Sequence, residues 1–267
     1  MQYFSLLLTV SLLLGGSASL FAQKVMDLSK PSAWEQAKHL KNAPDGSLIV
    51  GKKLFICSKL FPMDPNKKYT LSFTVSTKKG SSRILAGFES FLSPGRPISP
   101  RSANAVPGTF APLLKDAPKG ARKIQIPAGD KELAKLLPRP HYSLMAKAKR
   151  DFSDLPNFNR VSGNLQRIDK DGNIFTLTFK DPLTRTLKKG EFIRLHGDGA
   201  YMYTAGVRTV TAQKAVMKGS IKGFAAPGKY IYNKWPHKTK FGRVILLVNW
   251  NNQKVETVFK DFKLIIE

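Results

Sequence analysis

The segment FPMDPNKKYTLSFTVST (61–77) shows the pattern that organises the chain. After the turn residues Pro62-Met63-Asp64-Pro65-Asn66, apolar and polar positions alternate strictly. Tyr69, Leu71, Phe73 and Val75 fall on one side, and Thr70, Ser72, Thr74 and Ser76 on the other. A period of two with one apolar side predicts a half-buried strand in an antiparallel sheet, with one face on a core and one in water. Thr, Tyr, Phe and Val also suit a pleated backbone. GSLIVGKKLFICSKLFP (46–62) and SSRILAGFESF (81–91) predict neighbouring strands.

The same reading extends along the chain. ARKIQIP (121–127) and HYSLMAKAKR (141–150) predict strands, and GDKELAKLL (129–137) a short helix stopped by Pro138. SGNLQRIDKDGNIFTLTFK (162–180) predicts a hairpin turning at Asp171-Gly172. EFIRLHGDGAYMYTA (191–205) predicts a strand pair around His196-Gly197-Asp198-Gly199, and KAVMKGSIKGF (214–224) a strand with its lysines facing solvent. In VILLV (244–248) every side chain is apolar, as in a central strand covered on both faces. Residues 93–120 are rich in Pro and Gly and predict a long surface excursion. Near the start, Ser32 and Glu35 make a capping box for a short helix, or else the segment is an irregular arm packing Trp34 on the sheet. The whole predicts an all-β antiparallel jelly-roll β-sandwich with one or two short helices, a single domain over 23–267.

Three features of composition narrow the picture. SLLLTVSLLLGG (5–16), followed by small residues up to Ala22, predicts a signal peptide over 1–22 and hence an exported protein. Its place would be periplasmic, cell-surface or extracellular. No later apolar run is long enough for a transmembrane helix. The single cysteine, Cys57, excludes an intramolecular disulfide, and its neighbours Leu54, Phe55 and Ile56 point to an inert buried thiol. A secreted chain without disulfides suits a bacterial envelope. Lys and Arg number 44 against 18 Asp and Glu, a formal net charge of +26. Such a surface attracts polyanions in a salt-dependent way, or serves solubility alone.

An apolar strand, the P-x-D-P-x-K-x-Y-T-L-S stretch at 62–72 and the A-G-F-x-x-F of 86–91 together resemble bacterial secreted carbohydrate-binding modules of the galactose-binding-like jelly-roll kind. GRVILLVNW (242–250) and VETVFKDFKLIIE (255–267) resemble the closing strands of that family, and RLHGDGAYMY (194–203) resembles another of its elements. The resemblance implies a jelly roll and a non-catalytic carbohydrate-binding function. It also implies a structural calcium where the last strand meets the N-terminal segment, with Asp261 at the position of the F-x-D carboxylate. The residues themselves leave Asp261 open as an exposed carboxylate without metal, since calcium takes six to eight oxygens.

Sugar sites on β-sandwiches combine an aromatic wall with a few polar groups. Tyr201 and Tyr203 share a strand face, and Trp235 stands in a loop between Lys234 and Pro236. With Arg194 and His196 as polar partners, these are the candidate ligand-binding residues. The alternative is that each is a packed core or rim residue. Trp34 and Trp250 read as packing. The four His are scattered, and HExxH, GxSxG and Cys/His clusters are absent. A jelly-roll polysaccharide lyase would use Tyr142 beside His141, or Tyr201 with His196 and Arg194, but the chain lacks the lyase motifs. The basic stretches carry no ribonucleoprotein motif, so specific nucleic-acid binding is not predicted. The functional expectation is a secreted, non-catalytic binder of an anionic or sulfated polysaccharide. The rivals are a structural or protein-binding envelope protein and the lyase.

Overall fold

The computed structural model describes residues 23–128, 141–197, 202–227, 231, 233–251 and 254–267. The fold is all-β and antiparallel, sandwich-like and consistent with a jelly roll. Among the described residues the strands form four sheets. Sheet I runs Ala215–Lys222, Lys68–Thr77, Thr257–Ile266, Leu48–Val50 and Lys41–Asn42, with Lys24–Asp27 also paired to Thr257–Ile266. Sheet II runs Met202–Val210, Ser82–Ser93, Phe241–Val248 and Leu54–Cys57, and Phe61–Pro62 and Arg96–Ile98 extend it.

Alternation does what the sequence pattern demands. Tyr69, Leu71, Phe73 and Val75 turn inward from sheet I together with Met217, Ile221, Phe259 and Leu264. They meet Ile56, Ile84, Ala86, Phe88, Val244, Leu246 and Val248 from sheet II. This is the first core. The run Val244–Val248 is buried on both faces, as its unbroken apolar sequence predicts. Trp34 packs edge-on against Phe262 with ring centroids 5.2 Å apart, and its indole N–H donates to the Leu28 carbonyl at 2.9 Å. The segment around it forms short 3₁₀ turns at Pro31–Ala33 and Ala37–His39 without a side-chain cap, so the irregular arm is the arrangement seen.

The Met202–Val210 strand passes close to both sheets. A β-carbon at Gly87 would lie 1.8 Å from the Met202 carbonyl oxygen, and one at Gly219 would lie 1.8 Å from that of Thr204. No side chain fits at either place, so two glycines let this strand bridge the edges of the sandwich.

Where one core over 23–267 was expected, the buried apolar residues form two clusters. The chain leaves sheet II after Arg96–Ile98 and returns to it at Met202. Between them, sheet III (Arg160–Gly163, Tyr142–Ala146, Phe192–Gly197, Ala111–Pro112) faces sheet IV (Lys123–Pro127, Ile174–Phe179, Leu165–Asp171). Leu144, Ala146, Ile193 and Leu195 pack there against Ile124, Ile126, Phe175, Leu177 and Phe179. The Pro/Gly-rich stretch 93–120 is correspondingly more ordered than a surface excursion. It holds two strands and the α-helix Pro100–Ala103, and it buries Ile98, Asn104, Thr109 and Leu113. The helix expected at 129–137 lies outside the described residues. No helix among the described residues is long and apolar enough to cross a membrane.

Candidate functional site

The outer side of sheet I carries the hydroxyls of the Lys68–Thr77 strand, and the register fixes what stands beside each. Lys218 pairs with Ser72, and Ser72 in turn pairs with Lys263. One row along, Val216, Thr74 and Lys260 are matched in the same way. Ser220 pairs with Thr70, and their hydroxyls lie 2.9 Å apart, which places both on this face. Strands about 4.8 Å apart put Lys218 and Lys263 roughly 10 Å from each other across the sheet. Four residues along one strand separate Lys218 from Lys222 by roughly 13 Å.

The charges are only partly balanced. Lys68 meets Glu267 at 3.4 Å and Lys260 meets Asp45 at 2.6 Å. Lys218, Lys222 and Lys263 have no ion pair among the described residues. Lys222 stands directly opposite Lys68, an arrangement that costs stability unless an anion lies between them. Half-buried Ser72, Thr74 and Ser76 lie among these ammonium groups. The face therefore offers mobile cations for reach and fixed hydroxyls for close hydrogen bonds.

At its margin Asp27, Asp45 and Asp261, with Lys260 and Lys263, line a depression of about 390 Å³. Asp261 sits there with φ 52, at a bulge between Lys260 and Lys263. The Lys260 ammonium beside Asp45 holds that carboxyl well below the usual range, so a cation already occupies its charge. Asp27 accepts from the Ser29 amide at 2.9 Å and faces Lys30. Among the described residues no group of three or more His, Cys, Asp or Glu is placed to hold a metal ion.

Of the described candidate ligand-binding residues, Arg194 and His196 come together and Trp235 lies apart from them in the first core. Arg194 and His196 are wholly buried on the outer side of sheet III, because the loop 147–159 folds over Arg194 and the segment 100–105 stands against His196. The Arg194 guanidinium donates to the Lys149 carbonyl at 3.0 Å and to the Asp154 carboxylate at 2.6 Å, and lies 4.7 Å from the Phe152 ring centroid. Its Nε donates to His196 Nε2 at 3.2 Å, so His196 is neutral and its Nδ1–H donates to the Arg101 carbonyl at 2.9 Å. Trp235 is 0% exposed and packs in the first core against Phe61, Tyr69 and Phe88. Tyr203 is half-buried in Met202–Val210, and Tyr201 lies outside the described residues. Trp250, read as packing, is instead 39% exposed with the Lys53 ammonium 4.4 Å from its ring centroid.

Burial, with the Arg194 charge beside it, lowers the His196 pKa from 6.5 to about 4. The folded state thus favours the neutral ring, and the unfolded chain takes up the proton first. The stabilisation is complete above pH 6.5, fades as the pH falls, and is gone below about pH 4. At about 1.4 kcal/mol per pH unit, the loss reaches roughly 3 kcal/mol. Urea unfolding of the wild type and of His196→Gln at pH 7, 5 and 4 checks this. The stability gap between them is expected to narrow as the pH falls, and a constant gap refutes the assignment.

A further polar cluster lies on the outer side of sheet II. Arg243 holds Glu89 at 2.7 Å and Glu35 at 3.0 Å, and stacks 4.9 Å from the Phe91 ring centroid. Both carboxylates are committed to one guanidinium, which ties the N-terminal arm to the sheet. Burial pushes the neighbouring Cys57 thiol up to about 12, as suits a packed cysteine rather than a nucleophile.

The fold and its surface define a basic all-β sandwich with a second β core inserted into it. No family model, curated protein or solved structure matches the chain. Its function is accordingly argued from the surface chemistry itself.

Proposed function

We propose that this protein is an exported, non-catalytic binder of anionic polysaccharide, and that the outer face of sheet I is where the polymer lies. One observation carries the reading: the registered rows Lys218–Ser72–Lys263 and Lys222–Lys68 on an open, hydroxyl-rich sheet face. An extended polymer of carboxylates or sulfates meets such a face with its charges on lysines and its hydroxyls on Ser and Thr. The net charge of +26 adds long-range attraction. Lysine is a mobile point charge, so the recognition favours charge density over one defined sugar.

Affinity for alginate or heparin is expected to fall steeply between low and physiological salt, because exposed charges are screened within about 8–10 Å. A cation–anion contact at 4 Å is worth about 1 kcal/mol in water, and charge reversal turns it into repulsion. Lys218→Glu/Lys263→Glu is therefore expected to weaken binding at least tenfold. Lys119→Glu/Lys170→Glu changes the net charge equally, elsewhere on the exposed surface, and is expected to do much less. Equal losses in the two variants would reduce the site to overall charge, and no binding at low salt would remove the reading. An unsaturated-uronate absorbance appearing on incubation would overturn "non-catalytic".

A further inference from the structure

The inserted sheets carry a second surface with the chemistry of a ring-binding site. In sheet III, Ile193 pairs with Ala111 and Phe192 with Pro112. Ile193 is wholly buried in the second core, so Phe192 points the other way. Phe110, two residues before Pro112, shares its side of the sheet. The two rings are stacked with centroids 4.8 Å apart and planes at 8°. Phe192 is nevertheless 44% exposed. The loop 147–159 lies over Arg194 and reaches this end as well, where the Ala148 amide donates to the Phe192 carbonyl at 3.2 Å, but it leaves the Phe192 ring partly open.

Charge surrounds the pair. The Arg150 guanidinium, carried by that loop, lies 5.0 Å from the Phe110 ring centroid. It is exposed and makes no ion pair among the described residues. Glu191, the acidic neighbour of Phe192 in sequence, is held by Arg185 and does not oppose an incoming anion. The exposed Phe192 ring, with the Arg150 guanidinium against its stacked partner Phe110, matches a pyranose ring bearing a carboxylate or sulfate. The C–H face of the sugar covers the phenyl ring, and the anion takes the planar donors of the arginine.

The geometry points to Phe110, Phe192 and Arg150 as a uronate- or sulfosugar-binding subsite, which rests on the polysaccharide reading above and names its ring-recognising element. One stacked pair, rather than a row of aromatic steps along a groove, favours a single sugar ring over the successive bases of a single-stranded nucleic acid. A polymer that spans this subsite and the sheet I face gains by multivalency.

Calorimetric titration of the full chain with an alginate-derived tetrasaccharide, cellotetraose and the oligonucleotide dT8, at a salt concentration that screens the lysines, tests the subsite. Phe192→Ala is expected to lower tetrasaccharide affinity roughly tenfold. Arg150→Ala is expected to lower affinity for the uronate and leave that for cellotetraose unchanged. Lys119→Glu/Lys170→Glu, elsewhere on the exposed surface, is expected to leave tetrasaccharide affinity unchanged under these conditions. Circular dichroism of each variant reports on folding, and Phe192 is exposed enough for its removal to be tolerated. Unaltered tetrasaccharide binding by Phe192→Ala, or tighter binding of dT8 than of the tetrasaccharide, overturns the subsite. If Lys218→Glu/Lys263→Glu still abolishes binding of long alginate at low salt, only the subsite has failed. If the wild type binds no alginate at any salt, the polysaccharide reading has failed with it.

Discussion

Arg194→Ala is expected to lower stability by about 3–5 kcal/mol, the cost of leaving a buried charge without its partner. Arg194 and Asp154 side chains are 1% and 6% exposed, and 2.6 Å separates them. Removal of the guanidinium leaves Asp154, among the described residues, with neutral donors, the Asn157 amide at 2.9 Å and the Lys149 backbone N–H at 3.2 Å. It also removes one of the two donors to the Lys149 carbonyl and orphans the acceptor nitrogen of His196. Asp154→Asn in the same background removes the uncompensated charge and is expected to recover part of the loss. Urea unfolding measures the total, and hydrogen exchange locates it. Amides of Tyr142–Ala146 and Phe192–Gly197 are expected to exchange faster, while those of Lys68–Thr77 stay protected, because a separate core holds them. A loss under about 1 kcal/mol would mean that the loop over sheet III opens to water and the pair is not truly buried.

The same residues show where sequence reading succeeds and where it stops. Alternation identified Lys68–Thr77, and continuous apolar sequence identified Val244–Val248 and the buried Cys57, because each depends on local pattern and burial of one or both faces. The hairpin at 165–179 was legible too, although Asp171 pairs with Ile174, so the turn is Gly172-Asn173 and lies one residue later than expected. Arg194 and His196 alternate with buried Ile193 and Leu195, and on an open sheet they would face solvent. A loop forty residues earlier in sequence covers Arg194 and the segment 100–105 stands against His196, and no periodicity records that. The basic face was half legible. The lysines of Ala215–Lys222 were expected outward, but that Lys263 lies across Ser72 from Lys218 follows from strand order. The second core escaped notice because its strands obey the same alternation as the first, and alternation does not say which strands share an interior.

Trp235 sharpens that lesson, since its loop position between Lys234 and Pro236 suggests a surface and its surroundings are an interior. Phe61, Tyr69 and Phe88 reach it from three strands, with ring centroids 6.5, 5.5 and 5.4 Å away. Gly242 makes the room: a β-carbon there would stand 2.7 Å from the indole ring. Trp235→Ala is therefore expected to cost about 3–5 kcal/mol through lost burial and the cavity left behind. The indole N–H finds no acceptor among the described residues, and an orphaned buried donor costs about 1–3 kcal/mol. Trp235→Phe removes that donor while keeping most of the ring, so it is expected to cost under about 2 kcal/mol. Binding of alginate at low salt is expected to survive in the folded fraction of both variants, because Trp235 lies between the sheets and not on the outer face of sheet I. If Trp235→Phe abolished binding without loss of stability, the indole would have to reach the ligand, and its place in the core would be refuted.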